Sequence, residues 1–273
     1  MRYKNISTHS YSLLSSLIDI DKRCFTNFDA KNILNSSSES SIKELLSDMT
    51  KRGLLLRLKK GLYYIIPFED NPKYFIPDWH IVAKHLAVNN KYYIGYYSAL
   101  QIHDLIVQPS LNEQIVFCKQ IKPSTINIKN IKFQFIYHNK DHFFGFKETW
   151  IDNFNKVMCS DLEKTLIDSL FIPSYSGGIS EIARALYNSR NRINYDKLWQ
   201  YLLKFNSQAV IKRLGFLMEI LNINNEFITK LLHIKSKSIA LLDTELPDSG
   251  KIFSRWSIKI NIDIETIKSS LYT

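Results

Sequence analysis

The feature that most restricts the fold is a change in the spacing of apolar residues at Gly53. Before this glycine, apolar residues recur at the i, i+3, i+4, i+7 spacing of a helix with one buried face, namely Ile42, Leu45, Leu46 and Met49. After it, residues 54–66 alternate with the two-residue period of strands. A chain that changes period at one residue must place a helix directly before a β-hairpin.

The hairpin is predicted to turn at Lys60-Gly61. Strand alternation gives the first strand two faces. The apolar face is expected to pack on the preceding helix and carries Leu54, Leu56 and Leu58. The other face carries Leu55, Arg57 and Lys59, so the hairpin presents basic side chains to whatever lies outside it.

Two more helices are predicted upstream, over residues 8–23 and over 28–35, the second capped by Asn27. Two capping boxes fit the start of the third helix, Ser36-x-x-Glu39 and Ser41-x-x-Glu44. Gly53 is suited to end that helix in the left-handed conformation. Helix, short helix, helix and β-hairpin is the order of a winged helix-turn-helix.

This order predicts DNA binding, with the third helix in the major groove and the hairpin on the backbone. The candidate DNA-binding residues are Ser38, Ser40, Ser41, Lys43, Ser47, Lys51, Arg57, Lys59 and Lys60. Lys43 and Ser47 are the candidates for base contacts, whereas the hairpin cations would meet phosphates. Glu44 and Asp48 count against a tight phosphate grip along the helix. A winged helix used only for protein contacts, with solvated lysines, is the alternative.

Composition supports a polyanionic partner without requiring one. The 273 residues carry 36 basic and 26 acidic side chains, a net charge of +10, with a pI near 9.3. Such a charge favours nucleic acid but also fits an ordinary basic protein. The length predicts more than one domain. A segment rich in turn formers, 68–79, separates a winged-helix domain (1–68) from a C-terminal domain (79–273) with a possible subdivision near 190.

The C-terminal domain is predicted to be mixed α/β with a helical C-terminal part, which makes the chain α+β. Alternating segments predict strands at 113–121 and 130–139, and an apolar stripe predicts a helix at 161–171. The three cysteines, Cys24, Cys118 and Cys159, are widely spaced and predict reduced thiols rather than disulfides or zinc. No signal peptide or membrane-length apolar run is recognisable, so we expect a cytoplasmic protein without membrane contact.

Catalytic motifs are not found in the sequence. A metal-dependent nuclease is the enzyme class that a basic chain makes worth considering, with Asp104, Glu113 and Lys119 as its candidates. The Glu-x-Lys spacing of such nucleases is missing. The spacing of His80 and His85 does not match one helix face, and we expect hydrogen-bonded or surface histidines. The sequence therefore predicts a non-enzymatic protein with no catalytic residues, no metal and no cofactor.

Several segments, taken in order, resemble the AbiEi-type abortive-infection antitoxins, a family of transcriptional regulators of viral-defence systems. They are RGLLLRLKKGLYYI (52–65), IGYYSALQIHDL (94–105), VMCSDLEKTLIDSLFIP (157–173), SGGISEIARAL (176–186), KRLGFLMEIL (212–221) and LLDTELPDSGKIFSRWSIKIN (241–261). The resemblance implies an autorepressor that binds inverted repeats in its own promoter. It also implies an antitoxin of a type IV toxin–antitoxin system, opposing a nucleotidyltransferase-like toxin without forming a stable complex with it.

The family's C-terminal domain is also described as aiding DNA binding through a basic surface. Residues 190–273 carry 13 basic and 8 acidic side chains, a charge of +5, which fits that description. The candidates for this accessory surface are Arg190, Arg192, Lys204, Lys212 and Arg213. For Lys212 and Arg213 a merely solvated helix face is the alternative. For the whole protein, the alternative function is a non-catalytic module that neutralises a toxin by direct contact.

Overall fold

A computed structural model describes residues 6–35, 37–87, 90–106 and 108–272 of the protein. These residues are arranged as an α+β structure, which confirms the predicted class. They divide into two units, one made of Met1–Val88 with Asn153–Asn155 and the other of Asn89–Asp152 with Lys156–Thr273. Across the described ranges, none of the helices has both the length and the apolar character needed to cross a bilayer.

The described part of the first unit has four helices and three strands. In chain order they are α1 (Thr8–Asp19), β1 (Cys24–Thr26), α2 (Asn27–Ile33), α3 (Glu39–Lys51), β2 (Leu55–Lys59), β3 (Leu62–Ile65) and α4 (Trp79–Leu86). The strands form one antiparallel sheet in the order β1-β3-β2. Strand β1 was not predicted, because three residues are too few to reveal a two-residue period.

The helices exist, but the predicted caps at Asn27 and Ser41 are wrong. Helix α2 starts one residue earlier than expected, and Thr26 rather than Asn27 caps it in a capping box with Asp29. Helix α3 begins at Glu39, and the Ser38 hydroxyl accepts the cap hydrogen bond from the Ser41 amide at 3.2 Å. The box that begins at Ser41 is excluded because Ser41 lies inside the helix. Ser36, which begins the other box, is outside the described residues.

The end of α3 agrees with the sequence prediction. Gly53 has φ +73°, in the left-handed region that a side chain disfavours. The Gly53 amide donates to the Thr50 carbonyl (3.1 Å), and the Leu54 amide donates to the Met49 carbonyl (3.0 Å). These are the two hydrogen bonds of a Schellman motif, which satisfy the last carbonyls of the helix and turn the chain into β2.

The hairpin differs from the prediction because a β-bulge interrupts β2. Before the bulge, Arg57 pairs with Tyr63, and after it Lys59 pairs with Leu62, which leaves Leu58 as the extra residue. Directly paired residues lie on the same face of a sheet, and neighbours along a strand alternate. Arg57 therefore shares a face with Tyr63, whereas Lys59 lies on the opposite face. The predicted grouping of Arg57 with Lys59 is wrong for this reason.

The face of the β-sheet that packs on α1, α2 and α3 also differs from the predicted one. Leu55 pairs with Ile65, and both belong to the core of the first unit together with Phe25, Leu46 and Met49. Leu56 pairs instead with Tyr64 on the other face. Of the three leucines expected in the helix-facing core, only Leu54, at the start of the hairpin, lies in it.

Helix α4 belongs to the first unit, although the sequence analysis assigned it to the C-terminal domain. It packs beside β1 at the face of the sheet turned away from α3. On that face Cys24, Leu62 and Tyr64 are buried, and the Tyr64 ring lies 5.8 Å from the ring of Phe75. The turn-rich segment 68–79 thus connects two parts of one unit, and the division between the units falls after α4.

The second unit contains a mixed six-stranded sheet in the order β6-β7-β5-β4-β9-β8. Its strands and the helix between them are β4 (Tyr92–Ile94), α5 (Tyr96–Ile102), β5 (Asn112–Phe117), β6 (Thr125–Ile128), β7 (Ile131–Tyr137), β8 (Phe146–Trp150) and β9 (Lys156–Ser160). Strands β5 and β7 confirm the two strands predicted here. They pair in parallel, and antiparallel pairs flank them, so the sheet is mixed.

Helices follow this sheet and share one core. They are α6 (Leu162–Phe171), α7 (Gly178–Ser189), α8 (Tyr195–Phe205), α9 (Gln208–Ile220) and α10 (Asn225–Ile234), followed by β10 (Ala240–Leu241), β11 (Lys251–Phe253), β12 (Ile258–Ile260) and α11 (Ile264–Ser269). One hydrophobic cluster extends from Leu166 on α6 to Ile267 on α11. Because the same cluster includes Leu186 and Leu198, no boundary between cores falls near residue 190.

Two glycines of the first unit offer a matched test of the turn at the end of α3. Gly53 and Gly61 have similar positive φ angles, +73° and +78°. A methyl group at Gly53 would lie 2.6 Å from Pro72 Cγ, whereas at Gly61 the nearest atom is Asn27 Nδ2 at 3.5 Å. We expect Gly61→Ala to lower the free energy of unfolding by about 1 kcal/mol and Gly53→Ala by about 2–4 kcal/mol. Urea unfolding of the full chain measures both, and equal losses would contradict the close approach of Pro72.

Candidate nucleic-acid interface

A shallow depression of about 310 Å³ lies between α3 and the turn of the β2–β3 hairpin. One wall is α3, through Lys43, Ser47, Thr50 and Lys51. The other is the hairpin, through Arg57, Lys60, Gly61 and Tyr63, with Asn27 beside both. We call this surface the basic groove. It contains five of the nine predicted DNA-binding residues: Lys43, Ser47, Lys51, Arg57 and Lys60.

Helical spacing produces the α3 wall. Lys43, Ser47 and Lys51 are four residues apart, so they form one column along the helix. All three are exposed, because Ile42, Leu46 and Met49 turn the opposite face of α3 into the core. The same residues that anchor α3 therefore determine which of its side chains reach the groove.

The hairpin wall depends on the bulge and on a contact with α2. Arg57 lies on the helix-facing side of β2, but it is exposed, because it sits beyond the buried Leu55 towards the turn. Gly61 in the turn accepts a hydrogen bond from the Asn27 amide at 3.1 Å. This bond fixes the hairpin turn against the start of α2 and keeps Lys60 beside the groove.

The charged side chains that line the basic groove are all positive. No carboxylate is among its lining residues in the described ranges. Lys43 has only a distant ion pair with Glu39 (4.0 Å), and no described carboxylate lies within ion-pair distance of Lys51, Arg57 or Lys60. The acidic residue that would compete most directly, Asp48, is held by Arg52 at 2.9 Å. Four cations therefore face solvent with little internal compensation.

The remaining predicted DNA-binding residues lie outside the groove. Ser38, Ser40 and Ser41 are exposed at the start of α3, and the Ser38 hydroxyl is 2.8 Å from each of the other two hydroxyls. Lys59 is exposed on the opposite face of the hairpin. Sequence reasoning missed Asn27, Thr50 and Tyr63 as lining residues. Pairing with Arg57 places Tyr63 there, and only the correct bulge position could have indicated it.

Two of the five residues predicted for an accessory basic surface are buried, which corrects that prediction. The Lys212 side chain is 0% exposed and its Nζ donates to the Ser236 hydroxyl (3.1 Å) and the Ser238 hydroxyl (2.8 Å). The Arg213 guanidinium donates to the carbonyls of Leu170 (2.7 Å) and Leu241 (3.0 Å). Both cations tie α9 to neighbouring backbone, so neither forms the surface, solvated or DNA-binding, that the sequence suggested.

The other three accessory residues are engaged within the second unit as well. Arg190 stacks 3.9 Å above the Tyr187 ring, and Arg192 donates to the His103 carbonyl at 2.9 Å. Lys204 is exposed, with its Nζ 4.2 Å from the centre of the Phe144 ring. With Lys212 and Arg213 buried, the five residues do not form one exposed basic surface.

A second cluster of polar side chains, which we call the buried network, lies inside the second unit. Lys164 forms an ion pair with Asp168 one turn further along α6, and both are 0% exposed. Tyr93 donates to Asp168 at 3.0 Å and accepts from Lys164 at 3.1 Å. His138 joins through its two ring nitrogens, Nδ1 at 3.1 Å from the Tyr93 hydroxyl and Nε2 at 2.7 Å from the Tyr96 hydroxyl.

Burial determines the protonation of this network. Burial, opposed by the nearby Asp168 carboxylate and aided by the Lys164 cation, lowers the pKa of His138 to about 4, so the ring is neutral near pH 7. Burial also raises the pKa of Tyr93 and of Tyr96 well above the usual value. A neutral ring with the proton on Nδ1 donates to Tyr93 and accepts from Tyr96, which satisfies every member of the network.

The buried network has the residue types of a catalytic site but not its accessibility. Tyr96 also has φ +53°, a strained backbone of the kind that is frequent at functional sites. However, Lys164 is enclosed by the rings of Tyr93, Phe144 and Phe205, each 5.1–5.4 Å from its Nζ. A substrate cannot reach the ammonium or the carboxylate in this conformation. We therefore interpret the network as the polar centre of the second unit.

The residues considered for a metal site or a nuclease site do not come together in the structure. In the described ranges, no group of three or more histidine, cysteine or acidic side chains could hold a metal ion. Among the nuclease candidates, Glu113 is buried in β5, whereas Asp104 and Lys119 are exposed. His103 and His142 hydrogen-bond to the carbonyls of Ser160 (2.7 Å) and Phe205 (3.0 Å). Cys24, Cys118 and Cys159 are free thiols, and only Cys118 is partly exposed.

Known proteins share the fold rather than a recognisable sequence. No family model matches the chain. No curated protein matches it either. Among solved structures, the crystal structure of the RV2827C protein from Mycobacterium tuberculosis is similar, with a TM-score of 0.74 and 12% sequence identity. The match covers 98% of this chain and 96% of that one, so the likeness extends over both units of the fold.

The buried network can be tested by removing one charge. We expect Lys164→Met to lower the free energy of unfolding by about 3–5 kcal/mol, because it leaves Asp168 buried without its cation. Replacing both partners, Lys164→Met with Asp168→Leu, should recover most of that loss. The matched control is Lys230→Met, which removes an exposed helical pair with Glu226 (3.7 Å) and should cost less than about 0.5 kcal/mol. Equal losses in urea unfolding at both sites would contradict a buried ion pair.

Proposed function

We propose that the protein is a DNA-binding transcriptional autorepressor and the antitoxin of a type IV toxin–antitoxin system. The observation that carries the DNA-binding part is the basic groove, where Lys43, Lys51, Arg57 and Lys60 converge from a helix and a hairpin. A duplex has one negative charge per ~1.7 Å of axis and attracts such a surface strongly. No carboxylate is among the described lining residues, so a phosphate in the groove would meet no acidic side chain of its walls.

In this proposal the first unit is a winged helix-turn-helix and α3 is its recognition helix. Three helices and a hairpin succeed one another in the order that this motif requires. Helix α3 would enter the major groove with Lys43 and Ser47 towards base edges. Arg57 and Lys60 on the hairpin would contact phosphates, as would Lys51 at the end of α3. Phosphate contacts would fix the register, and the α3 contacts would select the sequence.

Pre-existing ion pairs would not oppose this mode of binding. A cation that already holds a carboxylate must give up that contact before it can bind a phosphate. Among the groove cations, only Lys43 has an ion pair within the described residues, and at 4.0 Å with both partners exposed it is weak. The groove is therefore ready for an anion without rearrangement of its charges.

The antitoxin part of the proposal rests on the sequence resemblance to AbiEi-type antitoxins. The resembling segments that follow residue 89 all lie in the second unit, where they supply all or most of α5, β9, α6, α7, α9, β11 and β12. We assign the antitoxin activity to that unit and DNA binding to the first. The opponent would be a nucleotidyltransferase-like toxin, and DNA binding would concern inverted repeats in the protein's own promoter.

Direct neutralisation of a toxin by contact is the second candidate function. It is favoured by apolar side chains that are exposed near α1: Tyr11, Ile18, Ile20 and Phe68. Exposed apolar clusters often mark protein interfaces. This function requires a stable complex, whereas the type IV mechanism does not, so co-purification with the toxin separates the two.

The bulge makes the DNA proposal specific about which hairpin cations matter. We expect Arg57→Ala and Lys60→Ala each to weaken binding to duplex DNA about tenfold at low salt, because each removes a phosphate contact. Lys59→Ala should weaken it by no more than about twofold, because Lys59 lies on the opposite face of the hairpin. Gel shifts with the DNA upstream of the gene measure these affinities. The matched control is Lys119→Ala, an exposed lysine of the second unit.

A loss for Lys59→Ala as large as that for Arg57→Ala would contradict the placement of DNA in the basic groove. Complete absence of a shift with the wild-type protein at low salt would refute DNA binding itself.

The antitoxin proposal is tested by growth. Expression of the nucleotidyltransferase-like toxin encoded beside this gene should arrest cells, and co-expression of the full chain should restore growth. Arg57→Ala should restore growth equally well when expressed from an unrelated promoter, because antitoxin activity is assigned to the second unit. Failure of the wild-type chain to restore growth would refute the proposal. Stable co-purification of the two proteins would favour direct contact instead.

A further inference from the structure

A second depression adjoins the basic groove and extends the same surface towards α2. It measures about 240 Å³ and is lined by Asn27, Phe28, Lys31, Glu39, Ile42 and Lys43. Asn27 and Lys43 line both depressions, so the two are adjacent. A long anionic ligand lying in the basic groove could therefore extend past Lys43 to Phe28.

Phe28 is unusual among the residues of this surface. Its side chain is 70% exposed, although α2 has an apolar core on its other side at Ala30. Single exposed apolar residues need no explanation by themselves. Here, however, the ring lines the same depression as Lys31 and Lys43. The backbone that carries it is held in place, because the amide of the preceding residue, Asn27, donates to the carbonyl of Gly61 in the hairpin turn at 3.1 Å.

We propose that Phe28 is an apolar contact to the deoxyribose rings and base edges of bound duplex DNA, beyond the cations of the basic groove. The inference rests on the proposed function and adds a residue that neither charge nor the family resemblance indicates. Deoxyribose carbons and the thymine methyl group are apolar, and they lose water when a phenyl ring covers them. Lys31 and Lys43 would exchange their exposed contacts with Glu39, at 3.3 Å and 4.0 Å, for phosphates near the sugar that Phe28 contacts.

The cations of the adjoining basic groove favour DNA over a protein partner. The one carboxylate that lines the Phe28 depression within the described residues, Glu39, is 3.3 Å from Lys31 and 4.0 Å from Lys43, so a bound anion would displace it. An acidic protein surface could meet the same lysines. Lys43 also lines the basic groove together with Arg57 and Lys60, so the cations extend well beyond Phe28, as contact with a phosphate backbone requires.

The test compares Phe28→Ala with Tyr11→Ala, an equally exposed aromatic residue on α1 (64%) that lies outside both depressions. The probe is a mixed-sequence duplex, titrated from low to moderate salt. We expect Phe28→Ala to weaken binding about tenfold at every salt concentration, because an apolar contact releases no counterions. The slope of log affinity against log salt and the melting temperature should both be unchanged. Phe28→Leu should fall between wild type and Phe28→Ala.

The outcomes separate the inference from the proposed function. If the wild type binds, and Arg57→Ala weakens it while Phe28→Ala does not, the inference is wrong and the proposed function stands. A loss accompanied by a smaller salt slope or a lower melting temperature would also overturn it, since either indicates an indirect effect. If the wild type fails to bind at low salt, the proposed function fails first.

Discussion

The extra residue in β2 determines which hairpin side chains can meet α3. Without the bulge at Leu58, strict alternation would place Arg57 and Lys59 on the same face. Leu55 and Arg57 precede the bulge and lie on the core-facing side through their pairing with Ile65 and Tyr63, with Arg57 at the rim of the core. The bulge turns Lys59 to the other face. The Schellman motif at Gly53 then fixes the distance between the end of α3 and the start of β2. The basic groove is a consequence of these two backbone features, because they bring cations from two elements together.

The two units use positive charge in opposite ways. In the first unit, the four cations of the basic groove stay exposed with little pairing. In the second, Lys164, Lys212 and Arg213 are buried and satisfied by a carboxylate, hydroxyls or backbone carbonyls. The net charge of a segment therefore does not show where on the protein a polyanion would bind. The second unit is basic by composition, yet several of its cations hold helices and loops together and are not available to a ligand. Replacing one of these buried cations would lower the stability of the second unit. A resulting loss of activity would be mistaken for loss of a ligand contact.

Much of this arrangement follows from the sequence, and the failures have identifiable causes. The three N-terminal helices, the hairpin, the Gly53 turn and helix α6 were predicted because strong periodicity and turn residues specify them. The cap at Ser38 was missed because the run of serines at 36–41 offers several cap positions, and the cap at Thr26 was missed because the adjacent Asn27 is an equally suitable capping residue. The bulge was missed because period-two reasoning has no signal for an inserted residue. Lys212 and Arg213 were misplaced because a hydrophilic pair on a helix looks solvated unless the surrounding carbonyls are known. The buried network links β4, β7 and α6, and no local pattern indicates that they meet.

The salt dependence of wild-type binding tests the central claim most directly. If Lys43, Lys51, Arg57 and Lys60 each neutralise a phosphate, log affinity for duplex DNA should fall with log salt at a slope of about −3 to −4, since each contact contributes about −0.9. The affinity at low salt should be high enough for a mixed-sequence duplex to bind. A slope near zero, or no binding at low salt, would mean that the basic groove does not hold the DNA backbone, and the account of the first unit would be wrong.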